Sequence, residues 1–334
     1  MRRVTELMEQ LRSGGDVYIQ THDFPDHDSV ASAFGLQQLL RAQGIDSSIT
    51  YEGDVQRESL VALTNALGIV MHHNGYYDIC PEDSVVVVDG CTGNRNVSHL
   101  VACEVGVIDH HMSEHPEDVP FVDIRPSYGA CATIVYDYFR QLESPMSEAV
   151  ATALLCGVSM DTAHLMRGAS SADVAAYTGL FDQADTGLVS SVVSNAIQQR
   201  DLAYYRAALD NVLVHDRLAF CYLPDGCSRN LLGILGDFFM GLREVDIVVL
   251  CARERSRMNF SVRCARERLN ASELIQEALE GIGFGGGHRH MAGGSLHESC
   301  DLDVESIYQR FCATVGVQPR ALPSQVQVMV RNSA

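Results

Sequence analysis

The first half of the chain alternates short apolar runs with stretches in which apolar residues recur every three or four positions. "DVYIQT" (Asp16–Thr21) predicts a buried strand and "SVASAFGLQQLLRAQG" the helix after it. "DSSITYEG" predicts a second strand. "SVVVVDG" (Ser84–Gly90) carries four consecutive valines, the mark of a strand covered on both faces. "EVGVIDHH" (Glu104–His111) predicts a further strand, whereas "GACATIVYDYFRQL" and "SEAVATALLCGVSMD" predict helices. Strands separated by helices indicate an α/β fold with a doubly wound, mainly parallel sheet. Such sheets gather ligand sites outside the carboxyl ends of their strands.

Past residue 186 the texture changes. Two polar helical stretches over 188–210 lead to "RLAFCYLPDG", a helix "SRNLLGILGDFFMGL" and an expected hairpin "VDIVVLCARERSRMNFSVRC". A helix "ASELIQEALEGIG" then precedes "FGGGHRHMAGGS", read as a glycine-rich loop. The expected organisation is a first domain over 1–186, a helical linker over 187–210 and a smaller α/β domain over 211–334.

Composition narrows the possibilities. At 334 residues the chain is long enough for two cores. No apolar run approaches the roughly 20 residues that cross a membrane. The start, "MRRVTELMEQLRSGG", alternates like an amphipathic helix rather than a signal peptide, so a cytoplasmic protein is expected, without a membrane partner. The 11 cysteines are scattered through apolar segments with no Cys-x-x-Cys pair, which favours buried reduced thiols over a disulfide or zinc framework. A net charge of −19 disfavours a long duplex, so any nucleic-acid substrate should be short and held locally. All 24 basic residues are arginine; a Schiff-base or P-loop lysine is excluded, and arginine is left for any phosphate grip.

The candidate chemistry lies at element ends. In "THDFPDHDSVASAFGL", His22, Asp26 and Asp28 follow the first strand; Asp89 ends the valine strand; Asp109, His110 and His111 end the "VGVID" strand; Asp161 closes the helix "LLCGVSMD". Carboxylates so close repel each other unless a positive charge compensates. Carboxylate and imidazole donors suit Mn²⁺ or a similar divalent ion. They are too many for one ion, so two ions sharing a carboxylate are expected, the arrangement used for displacement at phosphorus. Singly each group is weak: a strand-end aspartate is as a rule a cap or turn residue, and His22 alone reads as a core histidine. Their order carries the signal.

That order resembles the DHH phosphoesterases, a family that includes RecJ-type exonucleases, manganese pyrophosphatases and the small nanoRNase/pAp phosphatases. "HDFPDHDSVAS", "VVVVDG", "VIDHH" and "GVSMDT" resemble its four motifs, and "GFGGGHRHMAGGS" resembles the end of the DHH-associated domain. The resemblance implies one metal on His22, Asp26 and Asp89 and a second on Asp28, Asp89, His110 and Asp161, both expected to be Mn²⁺. It implies Asp109 and His111 as catalytic residues, with His111 facing the phosphate and protonating the leaving oxygen. Arg263, Gly285, Gly286, Gly287 and His288 would grip the substrate, in a cleft between the two domains. A glycine triplet by itself is more often a flexible loop.

The implied reaction is in-line attack of a metal-bridging hydroxide on short nucleotides. Linear di- to tetranucleotides such as pApA would give mononucleotides, and 3′-phosphoadenosine 5′-phosphate (pAp) would give AMP. A homodimer is expected, by the same resemblance. The alternatives are a cyclic-dinucleotide phosphodiesterase and an inactive nucleotide sensor. His27 stands where many members have glycine, and is expected to point outward. Arg253, Arg255 and Arg257 alternate as if sharing one strand face, and His164 and Arg167 follow Asp161 closely enough to line the site.

Overall fold

The computed structural model describes residues 4–11, 15–55, 57–94, 96–112, 116–194, 197–223, 226–254, 257–266, 269–297, 300 and 303–323. The chain divides into two compact units, Met1–Ala196 and Ile197–Ala334.

In the first unit, β1 (Val17–Thr21), β2 (Ser48–Tyr51), β3 (Met71–His73), β4 (Ser84–Val88), β5 (Cys103–Asp109) and β6 (Phe121–Ile124) form one sheet in the order β3-β2-β1-β4-β5-β6. Every pairing is parallel. The chain builds outward from β1 in one direction and from β4 in the other, so the topological switch point lies between these two strands. β4 is buried along its whole length, as its valine run requires. Val86 and Val88 join the large core, while Val87 packs on the other side with Cys91, Val97 and Val107.

Helix α1 (Val4–Leu11) buries Val4, Leu7, Met8 and Leu11 in the large core. α2 (His27–Ala42) follows β1 and is buried on most sides, because it packs against both α4 (Cys131–Gln141) and α5 (Glu148–Asp161). The small residues of "SVASAFG" permit that approach. At Gly157 of α5 a methyl group would lie 2.9 Å from Asp28 Oδ1 and 3.0 Å from Ala132 Cβ, so only hydrogen fits. α3 (Glu58–Leu67) joins β2 to β3, and α6 (Ser171–Phe181) and α7 (Thr186–Ser194) complete the helical layer.

The second unit has α8 (Leu202–Asn211), α9 (Arg229–Met240), α10 (Ala271–Ala278) and α11 (Val304–Val315). Its mixed sheet runs β11-β12-β10-β9-β8-β7, with β7 (Leu213–His215), β8 (Leu218–Leu223), β9 (Ile247–Glu254), β10 (Arg257–Cys264), β11 (Gly283–Gly287) and β12 (Met291–Leu296). One sheet face packs on α10 and α11, the other on α8 and α9.

β9 and β10 form the expected antiparallel hairpin. The register corrects one expectation about it. Arg257 sits opposite Glu254 and Arg253 opposite Met258, so Arg253 and Arg257 lie on opposite faces; Arg255 lies outside the described residues. The glycine-rich segment is likewise not a loop: Gly285, Gly286 and Gly287 belong to β11 and pair with Gly294, Gly293 and Ala292 of β12. No helix among the described residues is long and apolar enough to cross a membrane.

Candidate metal centre

Three strand ends and one helix end build the site. β1 runs out into His22, and the next turn presents Asp26 as the N-cap of α2, its carboxylate accepting from the backbone N–H groups of Asp28 and Ser29. Asp89 follows β4 with φ 58°, a left-handed conformation that aspartate and asparagine tolerate better than most residues. Asp109 is the last residue of β5, with His110 and His111 directly after it. Asp161 is the last residue of α5.

These elements bring the expected ligands together. His22 Nε2 lies 3.7 Å from both Asp26 Oδ1 and Asp89 Oδ2. His110 Nε2 lies 3.4 Å from Asp89 Oδ1, 3.2 Å from Asp161 Oδ2 and 3.9 Å from Asp28 Oδ2. His111 Nδ1 lies 2.7 Å from Asp109 Oδ1 and 3.8 Å from Asp89 Oδ1. Asp89 thus takes part in three side-chain groups: with His22 and Asp26, with Asp28 and His110, and with Asp109 and His111.

The donor atoms fit divalent cations. His22 Nδ1 lies 2.8 Å from the Asp23 carbonyl, and His110 Nδ1 lies 3.2 Å from the Tyr128 carbonyl. A carbonyl only accepts, so both Nδ1 atoms carry the hydrogen and both Nε2 atoms point into the carboxylates, the orientation of metal-ligating histidine. Asp89 Oδ1 is buried with no donor in hydrogen-bonding geometry. Asp28 is fully enclosed, and its carboxylate accepts from the N–H groups of Cys131 at 2.6 Å and Ala132 at 2.9 Å, at the start of α4.

The electrostatics of this cluster show the same need for positive charge. Burial, then the charges of Asp89 and Asp161, hold the Asp28 carboxyl well above the usual carboxylate range. Burial also pushes Asp89 up. At His22, burial lowers the pKa, but the hydrogen bond and charge of Asp26 and the charge of Asp89 outweigh it and raise the ring to about 10. Burial likewise works against protonation of His111, and the hydrogen bond to Asp109 followed by the charge of Asp89 raises it nonetheless. Cations bound here would replace this borrowed protonation with fixed charge.

His27 departs from expectation. Instead of pointing outward it is fully buried, because it occupies the first turn of α2 and reaches across to α3, where Nε2 lies 3.0 Å from Ser59 Oγ. Its Nδ1 is buried without a partner. Burial first, and then the charge of Arg57, depress its pKa to about 4. A histidine held neutral in the fold but titrating near 6.5 when unfolded contributes stability above pH 6.5 that is lost as pH falls toward 4. Between pH 7 and pH 5 this ring therefore removes about 2 kcal/mol, while the raised Asp28 and Asp89 carboxyls of the chelator-treated protein act in the opposite direction. The His27 share is read as a difference: from pH 7 to pH 5, urea denaturation should show His27→Gln gaining about 2 kcal/mol relative to wild type, and parallel profiles would refute the assignment.

The Arg263 guanidinium turns toward α9, donating to Asp237 Oδ1 at 2.7 Å, the Gly233 carbonyl at 3.0 Å and Ser261 Oγ at 3.0 Å. The His288 N–H donates to the Met291 carbonyl at 2.7 Å. Beyond Asp161 the backbone is left-handed at Ala163, His164 and Leu165, and Arg167 donates to the Asp161 carbonyl.

One supporting group escaped the sequence reading. Arg125, after β6, donates from its backbone N–H to the Asp109 carbonyl at 2.8 Å, and its side chain forks onto Asp123 and reaches Asp137. It thereby fixes the turn whose Tyr128 carbonyl orients His110. The available signal was "VDIRP": an acid and an arginine two apart at the end of a buried strand.

Comparison with known proteins follows the same division of the chain. Residues 16–158 match the model for the DHH family N-terminal domain, and residues 215–316 match the DHHA1 domain. The chain is 27% identical to the bifunctional oligoribonuclease and PAP phosphatase NrnA of Thermus thermophilus, over 94% of this chain and 93% of that protein. It is 28% identical to the cyclic-di-AMP phosphodiesterase GdpP of Bacillus subtilis, over 84% of this chain but 45% of that protein. The chain spans 57% and 45% of the length of two curated relatives and 93% of a third. An exopolyphosphatase-related protein from Bacteroides fragilis shares the fold, with a TM-score of 0.76, 15% identity, and 98% and 97% of the two chains covered. With a DHH N-terminal domain built on a parallel sheet and a DHHA1 domain after it, the chain belongs to the DHH phosphoesterase family and is similar to its NrnA-like branch.

Proposed function

We propose that the protein is a metal-dependent phosphohydrolase of short nucleotides, cutting linear di- to tetranucleotides such as pApA to mononucleotides and converting pAp to AMP. The convergence on Asp89 carries this reading: three groups of ligand atoms share one buried carboxylate. The similarity to NrnA over almost the full length of both chains supports the substrate class.

His22, Asp26 and Asp89 would hold one cation, and Asp28, Asp89, His110 and Asp161 the other. Two such divalent ions, Mn²⁺ in this proposal, supply positive charge for the phosphoryl oxygens and lower the pKa of water. The chain's own residues set the rest. The Asp23 and Tyr128 carbonyls lock the ligating imidazoles in one tautomer. Asp109, fully buried, accepts from both the backbone N–H of His111, at 3.0 Å, and its Nδ1. That grip fixes the ring and leaves its Nε2 as the atom that carries a proton to the leaving oxygen.

The test is a panel of pApA, pAp and cyclic di-AMP, each incubated with Mn²⁺ and with chelator. Turnover of pApA and pAp with Mn²⁺ alone is expected. Turnover confined to the cyclic compound would replace this reading with a cyclic-dinucleotide phosphodiesterase, and tight binding without any turnover would replace it with a nucleotide sensor.

A further inference from the structure

Between the ligands His22 and Asp26 stands a residue the metal centre does not use. Phe24 has φ 57°, a left-handed conformation that is an outlier for a bulky side chain, and it is 45% exposed. It is held there on purpose-built ground. Its N–H donates to the Glu52 carbonyl at 2.8 Å, and its ring lies on Gly53 so closely that a Cβ there would sit 2.7 Å from Cδ1 and 2.8 Å from Cε1. One side of the ring is thus covered by backbone, and the remainder is open to solvent. Neither burial nor backbone preference accounts for a phenylalanine in this place, and strain of this kind gathers at ligand sites.

The aromatic surface continues along the carboxyl edge of the sheet. The Gly53 carbonyl lies 2.8 Å from His73 Nε2, and the His73 ring meets Tyr51 with centroids 5.0 Å apart. Tyr51 and His73 are paired at the ends of β2 and β3, the strands lying outward from β1. Tyr76, 67% exposed, stacks on His72 with centroids 3.9 Å apart, but His72 precedes His73 in β3 and so points to the other face of the sheet, away from Tyr51 and His73. The Phe24 ring and the Tyr51–His73 pair therefore meet at Gly53, next to His22 and Asp26, on the edge where the scissile phosphate would sit.

We infer that this edge is a base-stacking subsite: Phe24 receives the base next to the scissile phosphate, and the Tyr51–His73 pair receives the following one. The inference rests on the nucleotide reading above and adds how successive bases are held. Stacking of this kind tolerates any base, because each has a π-face.

A non-hydrolysable dinucleotide carrying 2-aminopurine, with methylene in place of the bridging oxygen, tests it by fluorescence titration in Mg²⁺. The wild-type protein should quench the probe, and Phe24→Tyr and Phe24→Trp should do so as well. Phe24→Asn suits the left-handed backbone and so keeps the fold; it should bind about five- to a hundredfold more weakly and lose the quenching. An abasic dinucleotide should bind wild type and Phe24→Asn alike, and His73→Ala should weaken trinucleotides while sparing dinucleotides. Equal loss for abasic and base-bearing ligands, unchanged binding in Phe24→Asn, or no binding of the probe by wild type would each overturn the subsite. Hydrolysis of pApA with no change in quenching sinks the subsite alone; lost quenching in a protein that hydrolyses nothing sinks the hydrolase reading alone.

Discussion

Asp89→Asn is expected to lower kcat by about a thousandfold or more, the equivalent of several kcal/mol of transition-state stabilisation. The substitution is close to isosteric, and asparagine accepts the left-handed backbone at this position, whereas alanine would add strain. What changes is charge and donor character at the one carboxylate common to three ligand groups. An amide would keep one oxygen donor for the proposed cations and put an NH₂ in place of the second. Mn²⁺ is expected to raise the melting temperature of the wild-type protein, and that shift should disappear in the variant, because a ligand stabilises only the fold that binds it. Steady-state kinetics with pApA, together with melting curves with and without Mn²⁺, measure both effects. A variant that keeps a tenth of wild-type turnover, or keeps the Mn²⁺-dependent shift, would remove Asp89 from the centre.

Arg125→Met should destabilise the protein by about 3–5 kcal/mol, the usual result of stripping one partner from a buried ion pair. Arg125 is 8% exposed, donates to Asp123 through two bonds of 2.8 and 2.7 Å, and reaches Asp137 at 2.8 Å. Tyr138 adds a further bond to Asp123 at 2.8 Å. Without the guanidinium, the Asp123 carboxylate is left charged in the interior. Urea denaturation reads the loss directly. Arg125→Lys should recover little, since a point charge cannot reproduce the fork. Arg125→Met combined with Asp123→Asn should be more stable than Arg125→Met alone, and a double variant no better than the single one would show that the stranded charge is not the cause. The same change loosens the turn that carries Tyr128, so metal affinity should fall by about 10- to 100-fold as His110 loses its orienting acceptor.

The pattern of apolar runs was enough to read the first unit, because parallel strands buried on both faces leave little ambiguity: Asp16–Thr21, Ser84–Gly90 and Glu104–His111 each cover a strand of the central sheet. The convergence at Asp89 was legible for the same reason, since residues at carboxyl ends of adjacent strands must be neighbours. Backbone-mediated features were not legible. Nothing in the residue types shows that the Tyr128 carbonyl takes the His110 hydrogen or that Asp28 accepts from the first turn of α4, because these depend on where two distant segments pack. His27 misled for a related reason. A histidine at a helix start reads as exposed unless Ser59, 32 positions away, is known to wait for it. The run of glycines after α10 looked like a loop because glycine is rare in strands, yet β12 pairs along it.

Asp28 has a consequence for how this protein can change. One carboxylate faces His110, holds the first turn of α4, and presses against Gly157. The floor of the centre is therefore continuous with the helical interior, and Asp28 cannot be exchanged without disturbing the packing of α2 against α4 and α5. Freedom to vary is left to the rim, at exposed positions such as Phe24, which touch none of these buried contacts.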